Sequence, residues 1–464
     1  MLEEIILQNP WWKTKTVNKS KLGSIKRNDL EIIKEKIHEK KITCLLGPRR
    51  AGKTTLIYET INHLLKNNVQ PEEILYISLD SPKIRLILKD KFNDILQQYS
   101  ETILKKQLDK TKNKIYIFLD EIHKLDDWGN IIKYWQDLDI NIKITVSGSS
   151  AIRILKGSGE SLLGRIHYII IYPLTFSEFT NKHITFDILN FKEIKKIYRE
   201  LTLKKQELLI NLDNYILRGG YPEIYFEKDL QKAYETLRQY KTLTLTRDIL
   251  DLKDIKEPRI LNDFADLLSD HMSERINYSS FSSVLKIKVD TIKKYLSYLE
   301  ECFLVYTTYV YSKKHILSTR KEKKLYFIDN GLRNSLILKE IDDNDKTKII
   351  ENIVFSHVLQ LKKEEIFPKI FYWTDQNKNE VDIILTIKNK VIPIEVKYSN
   401  DISKKELKGL LNFMDTYNIK EGIVITRDVL MQQDINRKTV NFIPAWLFLL
   451  NTSIYTKRKE NKKI

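Results

Sequence analysis

The sequence predicts an α/β protein of several domains, and three features indicate this class. A short apolar run at 42–46 ends in a glycine-rich turn and is followed by residues with helical periodicity. A second apolar run, KIYIFLD, ends in an acid that another acid follows, at the strand end where open α/β sheets bind ligands. Strand-like segments recur near the carboxyl end. Because 464 residues are too many for one core, we expect two to four domains.

Composition limits the function classes. Lys and Arg number 79 against 62 Asp and Glu, a formal net charge of +17. This balance favours a polyanionic partner, most often nucleic acid, although it also serves solubility. The two cysteines, Cys44 and Cys302, lie far apart in apolar runs, which excludes a disulfide scaffold and a cysteine zinc site and fits a reducing cytoplasm. No apolar run approaches about 18 residues, so we expect no membrane span.

The glycine-rich turn has the pattern G-x-x-x-x-G-K-[ST]. Its glycines allow backbone amides to converge on phosphate oxygens, and the following helix points its amino end at the same anion. The lysine should reach the β- and γ-phosphates, and the first threonine should bind Mg²⁺, so the expected cofactors are ATP and Mg²⁺. The predicted nucleotide-binding residues are Gly47, Pro48, Arg49, Arg50, Ala51, Gly52, Lys53, Thr54 and Thr55.

Polar residues follow the later strands. Asp120 is expected in the Mg²⁺ shell, and Glu121 is expected to orient and polarise the attacking water. In NIKITVSGSSA, Ser147 or Ser149 could bond to the γ-phosphate or the water, or the segment could be an ordinary serine-rich turn. Arg165 precedes a fifth strand and could stabilise the transferring phosphoryl group, in cis or from a neighbouring subunit, or it could be a surface arginine.

The middle of the chain predicts a helical, strongly charged lid and connector, followed by a different pattern. SSFSSVLKI and TIKKYLSYLEE predict two helices, and CFLVYTTYVYS and KKLYFIDNGL predict two strands around a basic loop. Helix, turn, helix and two-stranded wing is typical of a winged helix. The second helix offers solvent-facing candidates for DNA contact, Lys293, Lys294 and Tyr298, although winged helices also serve only for protein contacts or as ATPase lids.

The segment VDIILTIKNKVIPIEVKYS predicts a hairpin with charged residues. Glu395 and Lys397 are two residues apart and share one strand face, and the hairpin would bring Asp382 alongside. Neighbouring carboxylates bind a hard divalent cation, Mg²⁺ or Mn²⁺, which generates a nucleophilic water, and Lys397 could position that water or the phosphate. Glu351 from the preceding helix could complete the ligands, and Glu380 is expected on the opposite face. The alternative is an exposed Lys/Glu strand.

These motifs together resemble AAA+ ATPases. The stretches NPWW, GPRRAGKTTL, DEIHKLDDWGNIIKYWQD, SGSSA, PLTFSEF and LRGGYPE are similar to one group of prokaryotic AAA+ ATPases. The resemblance implies a sensor at 147–149, a helical lid that brings Pro222 near the nucleotide, and functional roles for Lys53, Thr54, Asp120 and Glu121. The D-x12-E-x-K pattern resembles the PD-(D/E)XK nuclease superfamily, a domain of which this group carries at its carboxyl end, although Val381 replaces the proline.

The predicted domains are an AAA+ P-loop core at 1–180, a helical lid and connector at 181–254, a winged helix at 255–338, an α/β PD-(D/E)XK-like domain at 339–450 and a basic tail at 451–464. We expect a cytoplasmic ATPase that acts on DNA; whether it also cleaves phosphodiesters is left open. The alternatives are an ATP-switched DNA- or protein-binding module with an inactive nuclease-like domain, and a signalling NTPase that forms an ATP-dependent homo-oligomer.

Overall fold

A computed structural model shows an α/β protein. It describes residues 2–92, 94–125, 127–138, 140–150, 154, 162, 164–250, 255, 257–312, 322–337, 340–365, 368–387 and 390–453. The chain divides into two compact units. Unit 1 comprises Met1–Tyr172, Glu301–Phe303 and Lys363–Ile366, and unit 2 comprises Pro173–Glu300, Leu304–Lys362 and Phe367–Ile464. In the described part of the chain, none of the helices combines the length and apolarity needed to cross a membrane.

Unit 1 is built on a parallel sheet of five strands. They are β1 (Ile42–Leu46), β2 (Ile74–Ser78), β3 (Ile115–Asp120), β4 (Ile142–Gly148) and β5 (Ile166–Ile170). The strands are almost continuous apolar runs, as expected of parallel strands that are buried on both faces. Their order is β2-β3-β4-β1-β5, so β4 separates the strand before the glycine-rich loop from the strand that ends in acids.

The amino terminus of unit 1 closes the β2 edge of this sheet. The side-chain amide of Asn9 donates to the carbonyl of Tyr76 and accepts from its N–H, both at 2.7 Å. The indole N–H groups of Trp11 and Trp12 donate to the carbonyl of Ile74 at 3.1 and 2.9 Å. The NPWW stretch therefore satisfies backbone groups that an edge strand would otherwise expose. The α-helices of unit 1 are Leu2–Gln8, Trp11–Thr14, Asn28–Lys36, Lys53–Lys66, Pro82–Lys91, Ile95–Tyr99 and Trp128–Asp137.

Unit 2 begins with helices and a small antiparallel sheet of two strands, β6 (Val305–Thr308) and β7 (Lys324–Phe327). Two helices and these two strands follow one another as the sequence predicts, whereas most of the predicted basic loop, 313–321, lies outside the described residues. The α-helices that lie wholly or mainly in unit 2 are Phe176–Phe179, Phe191–Leu201, Lys205–Arg218, Pro222–Phe226, Leu230–Leu243, Pro258–Asp270, Tyr278–Leu285, Val289–Glu301, Asn330–Leu336, Asp343–Gln360, Lys408–Tyr417 and Ala445–Phe448.

The carboxyl-terminal part of unit 2 is a mixed sheet. Its strands are β8 (Ile370–Thr374), β9 (Glu380–Ile387), β10 (Lys390–Lys397), β11 (Glu421–Thr426), β12 (Met431–Ile435) and β13 (Lys438–Pro444), in the order β12-β13-β11-β10-β9-β8. The predicted hairpin is β9–β10, which is antiparallel, whereas β10 and β11 are parallel. Helix Lys408–Tyr417 buries Leu410, Phe413 and Met414 in a core shared with the sheet. Residues 454–464 of the predicted basic tail lie outside the described residues.

Two glycine motifs meet within unit 2. The N–H of Gly220 donates to Asp329 Oδ2 at 2.7 Å, and a Cβ on Gly220 would lie 2.2 Å from the carbonyl oxygen of Leu174. The side chain of Asn330 donates to two carbonyls near the end of helix Lys205–Arg218. LRGGYPE therefore packs against FIDNGL. A Cβ on Gly219 would lie 2.6 Å from the backbone nitrogen of Gly331, so this close approach requires glycine at position 219. Pro222 begins the next helix, and its assignment to nucleotide binding stays a prediction.

Candidate functional site

The glycine-rich loop connects β1 to the helix that begins at Lys53. Gly47 (φ 144°) and Gly52 (φ 100°) adopt conformations that favour glycine. A Cβ on Gly47 would lie 2.0 Å from the carbonyl oxygen of Ile171, so this position also requires glycine for space. The amine of Lys53 donates to the carbonyls of Gly47 and Pro48 at 2.8 and 2.9 Å. The loop, the lysine and the helix amino end therefore have the arrangement of a phosphate-binding site.

A carboxylate and a hydroxyl meet beside this loop. Thr54 Oγ1 donates to Asp120 Oδ2 at 2.7 Å, and Tyr76 donates to the same oxygen at 3.1 Å. The hydroxyl of Ser147 donates to Asp120 Oδ1 and accepts from the backbone N–H of Glu121 at 3.0 Å. Burial, and then the charge of Glu121, raises the pKa of Asp120 against the opposite effect of Ser147 and Thr54. Hard oxygen donors of this kind fit Mg²⁺.

Glu121 adopts an uncommon backbone conformation for a residue with a side chain. Its φ is 59°, in the left-handed region, which costs about 1–3 kcal/mol and occurs mostly where surrounding structure enforces it. Its Oε2 accepts from the hydroxyl of Ser149 at 3.4 Å and lies 3.5 Å from His123 Nε2. These contacts hold the second acid at the carboxyl end of β3, where the sequence predicts the residue that orients water.

Arg27, a residue that sequence analysis did not single out, anchors the loop. Its guanidinium donates to the carbonyl of Ala51 at 2.9 Å, and to the carbonyl of Tyr172 and the carboxylate of Asp29 at 2.7 Å. Asp29 also accepts from Lys363 at 2.6 Å. Burial alone would raise the pKa of Asp29, but Lys363 and Arg27 hold it below its ordinary value. Only the folded chain brings these distant residues together.

Arg165 lies where the strands of the sheet begin, at the opposite ends from the glycine-rich loop. Its carbonyl accepts from the N–H of Ile42 at 2.9 Å, at the start of β1, whereas the glycine-rich loop follows the end of β1. Its guanidinium pairs with Asp137 at 2.6 Å. Arg165 also lines a cavity of about 490 Å³ with Lys40, Lys41 and Lys114. The structure therefore does not bring Arg165 to the loop of its own chain, and a role in a neighbouring subunit stays a prediction.

A second cluster of charged residues lies where β9 and β10 run side by side. Asp382 Oδ2 accepts from the N–H of Val396 at 2.9 Å, and Lys397 Nζ lies 2.6 Å from Glu395 Oε1. The other oxygen of Glu395 is buried and has no hydrogen-bond partner. Glu351 reaches this region from helix Asp343–Gln360. The structure thus brings together the two acids and the lysine of the hairpin.

Lys324, which sequence analysis did not consider, completes the cluster. Its Nζ lies 2.8 Å from Glu351 Oε1, 2.5 Å from Glu380 Oε1 and 3.1 Å from Asp382 Oδ1, and its side chain is 3% exposed. The expectation that Glu380 faces away from Asp382 is wrong, because residues two apart on a strand share a face. Lys324 comes from β7, so the local pattern of the hairpin could not indicate it.

Burial and the neighbouring charges together shift the pKa values of the residues in this cluster. Burial, with the charge of Asp382, raises the pKa of Glu351 and of Glu395 to about 8. Burial would also raise the pKa of Asp382, but Lys324 and Lys397 hold it below its ordinary value. For Lys324, the effect of burial is outweighed by Glu351 and the other acids, so its pKa lies well above the ordinary range. Lys324 and Asp382 are therefore a charged pair at neutral pH.

The predicted second metal site does not fit this arrangement. An ammonium group already lies among the oxygens that the cation would need. In the described residues, no group of three or more His, Cys, Asp and Glu side chains is arranged to hold a metal ion. A divalent cation at Glu351, Asp382 and Glu395 is thus not shown.

Comparison with known families identifies the domain that contains the glycine-rich loop. The sequence profile of the AAA domain matches residues 39–180. These residues form an AAA-type P-loop ATPase domain. It contains the loop, Thr54, Asp120 and Glu121 described above. Two other profiles, both of domains of unknown function, match residues 210–344 (DUF8612) and 346–448 (DUF4143).

Sequence similarity to other proteins extends beyond the ATPase domain. Uncharacterised protein MJ1544 of Methanocaldococcus jannaschii is 29% identical over 468 residues, which cover 97% of this chain and 95% of that protein. An uncharacterised protein of Haemophilus influenzae is 26% identical over 413 residues, 88% of this chain and 94% of its own length. Among solved structures, the Walker-type ATPase PABY2304 of Pyrococcus abyssi has a TM-score of 0.44 and 16% identity, and covers 69% of this chain and 97% of its own.

The predicted DNA-contact residues lie outside the ATPase domain. Lys293 and Lys294 are exposed on helix Val289–Glu301. Tyr298 is only 6% exposed, so the expectation that it faces solvent is wrong. It follows buried Tyr295 by three residues, which places both rings on the inward face of the helix.

Proposed function

We propose that this protein is a Mg²⁺-dependent ATPase that couples hydrolysis to work on DNA. The observation that carries the ATPase proposal is the 2.7 Å hydrogen bond between Thr54 and Asp120, beside a loop in which Gly47 and Gly52 adopt backbone conformations that favour glycine. A threonine hydroxyl and a carboxylate held in contact form two neighbouring oxygen donors for Mg²⁺. Bound Mg²⁺ would neutralise charge on the phosphate oxygens.

The site residues of the ATPase domain each have a role in this proposal. The loop amides and Lys53 bind the β- and γ-phosphates, for which Lys53 leaves its carbonyl partners. Glu121 orients and polarises the attacking water. Ser147 holds Asp120 and the backbone of Glu121 in place, which makes it a positioning residue. Ser149 contacts the Glu121 carboxylate and fixes its direction.

The test compares two substitutions with a matched control. Lys53→Ala should abolish ATP binding, whereas Glu121→Gln should bind ATP and stall hydrolysis. Lys66→Ala removes an exposed lysine from the same helix and should leave both properties unchanged. ATP binding is measured by equilibrium titration with a fluorescent analogue, and hydrolysis by phosphate release. Normal turnover in Glu121→Gln would show that another group activates the water.

DNA as the partner is supported by charge. The chain has a formal net charge of +17, and Lys293 and Lys294 are exposed on a helix that follows a short helix and turn. Two phosphate contacts should contribute about 1.8 to the slope of log affinity against log salt. Lys293→Ala/Lys294→Ala should lose that contribution. Lys195→Ala/Lys196→Ala removes the same charge from exposed positions elsewhere and should not. Equal slopes in both variants would contradict this contact.

Phosphodiester cleavage by the C-terminal part is a second candidate function. The juxtaposition of Asp382, Glu395 and Lys397 favours it. Plasmid and linear DNA are incubated with the protein and Mg²⁺ or Mn²⁺, with and without ATP, beside the Asp382→Ala variant. Cleavage that is lost in the variant supports the assignment, and cleavage that persists removes it. Intact DNA under all conditions favours the ATP-switched binding module, and ATP-dependent growth in particle size would favour the signalling NTPase.

A further inference from the structure

We propose that Lys324 is the resident cation of the C-terminal acid cluster and excludes a divalent metal ion from it. The inference concerns the same site as the cleavage candidate and rests on that proposal for its functional meaning. It states how the site is controlled: a metal ion can enter only when the ammonium group of Lys324 has left the acids.

Lys324 already fills the position that a metal ion would need. The Nζ of Lys324 lies within 3.1 Å of one oxygen each from Glu351, Glu380 and Asp382. An ammonium group has three N–H donors, so these three acceptors satisfy it completely. A divalent ion bound to the same oxygens would lie about 2.0–2.6 Å from them and would therefore need the volume that Nζ fills. The two cations compete for one position.

Backbone pairing holds Lys324 in this position. Lys324 begins β7 and pairs with Thr308 of β6 on one side, while it forms a β-bridge with Arg275 on the other. The side chain of Arg275 also lies 3.8 Å from Glu380. Lys324 is 2% exposed, so its charge is enclosed together with its partners. The lysine is thus part of a paired strand.

The charge of the cluster favours a metal ion in place of Lys324 over one added beside it. Four acids, Glu351, Glu380, Asp382 and Glu395, lie near three bases, Lys324, Lys397 and Arg275. With every group ionised, the cluster carries a formal charge of −1, and with Glu351 and Glu395 protonated, as pKa values of about 8 favour at neutral pH, it carries +1. In either case a divalent ion added beside Lys324 raises the charge of the cluster by two, whereas a divalent ion in its place raises that charge by one. Replacement is favoured over addition because uncompensated charge is costly in a buried site.

One acceptor stays available for a metal ion once the lysine is gone. Glu395 is 4% exposed, and its Oε2 is buried without a hydrogen-bond partner. Buried polar atoms without partners are rare and call for an explanation. A ligand position that is used only after Lys324 has moved gives one. The acids are thus a cation site whose occupant, in this conformation, belongs to the chain itself.

The experiment measures Mn²⁺ binding to the nucleotide-free full-length protein, from the electron paramagnetic resonance signal of free Mn²⁺. Lys324→Met should gain one Mn²⁺ site, at least about tenfold tighter than any in the wild type. Adding Asp382→Asn to that variant should remove the gained site. The matched control is Lys323→Met, because Lys323 is the neighbouring lysine and lies against Tyr309 and Glu300 instead. It should gain no site.

Three results would overturn the inference. The first is Mn²⁺ binding by the wild type that Asp382→Asn abolishes, since the metal ion would then enter beside Lys324. The second is a folded Lys324→Met that gains no site, since the acids would then not bind a cation. The third is equal gain in Lys323→Met. If circular dichroism shows that Lys324→Met is unfolded, Lys324→Gln replaces it. The comparison of Mn²⁺ binding by the wild type and by Asp382→Asn tests the first of these results with either variant. Failure of the cleavage candidate appears separately, as intact DNA.

Discussion

Substitution of Arg27 by methionine tests how the phosphate loop is held. The change keeps much of the apolar stem but removes the guanidinium that donates to Ala51, Tyr172 and Asp29. Truncating one partner of a buried ion pair costs about 3–5 kcal/mol. Asp29 keeps Lys363 at 2.6 Å, so we expect the lower end, about 3 kcal/mol. For a unit of about 180 residues this lowers Tm by about 6–12 °C.

The assay is calorimetry at pH 7 and at pH values stepped down from 3.5. The transition of unit 1 is recognised because bound nucleotide raises the Tm of the part that binds it. The pKa of Asp29 is lowered in the folded protein, so its pairing stabilises above the unfolded pKa and is lost as pH falls through the folded value. Arg27→Met weakens that pairing, so its deficit should be largest at pH 7 and should narrow in acid.

A control from the next helix sets the scale. Lys34→Met breaks a partly exposed ion pair with Glu31, at 2.9 Å, and should cost less than about 1 kcal/mol. We also expect weaker nucleotide binding in Arg27→Met but not in Lys34→Met, because the Ala51 carbonyl that Arg27 contacts belongs to the loop. The reasoning is refuted if Arg27→Met melts within about 2 °C of the wild type at pH 7, or if its deficit does not narrow in acid.

Two further predictions follow from contacts that the structure reveals. Ser147→Ala removes the hydroxyl that links Asp120 to the Glu121 backbone, so it should lower kcat about 10–100-fold with little change in nucleotide affinity. Phosphate release measures kcat, and titration measures the affinity. An unchanged kcat would contradict the positioning role. Asp329→Ala removes the acceptor of the Gly220 N–H and the cap of helix Asn330–Leu336. The free energy of unfolding of unit 2, measured in urea, should therefore fall by about 2–4 kcal/mol. A fall below about 1 kcal/mol would show that the contact between LRGGYPE and FIDNGL is dispensable.

The parts of the ATPase domain that sequence predicts are local. The glycine-rich loop, Lys53 and Thr54 lie within eight consecutive positions, and the order of strand, loop and helix restricts them to one geometry. Asp120 and Glu121 are similar, because the end of a buried strand identifies them. Contacts that require distant segments were not predictable in this way.

The errors have identifiable causes. Tyr298 was expected at the surface because tyrosine suits both faces of a helix, and only packing decides which face is buried. Arg165 is a different case: it precedes β5 and so lies where the parallel strands begin, away from the loop of its own chain, and its role in a neighbouring subunit stays a prediction. Glu380 was assigned to the wrong strand face, although the two-residue period was sufficient to assign it correctly.

What the sequence alone determined is the α/β class and the residues whose chemistry depends on near neighbours: the phosphate loop, the acids at the end of β3, and the hairpin that brings Asp382 close to Glu395. What only the tertiary structure decided is which distant charges join them. Arg27 reaches a carbonyl 145 positions away, and Lys324 meets an acid 58 positions away. Burial gives such contacts their energetic weight, and burial is a property of the folded chain, because a charge in a low-dielectric interior must be paired.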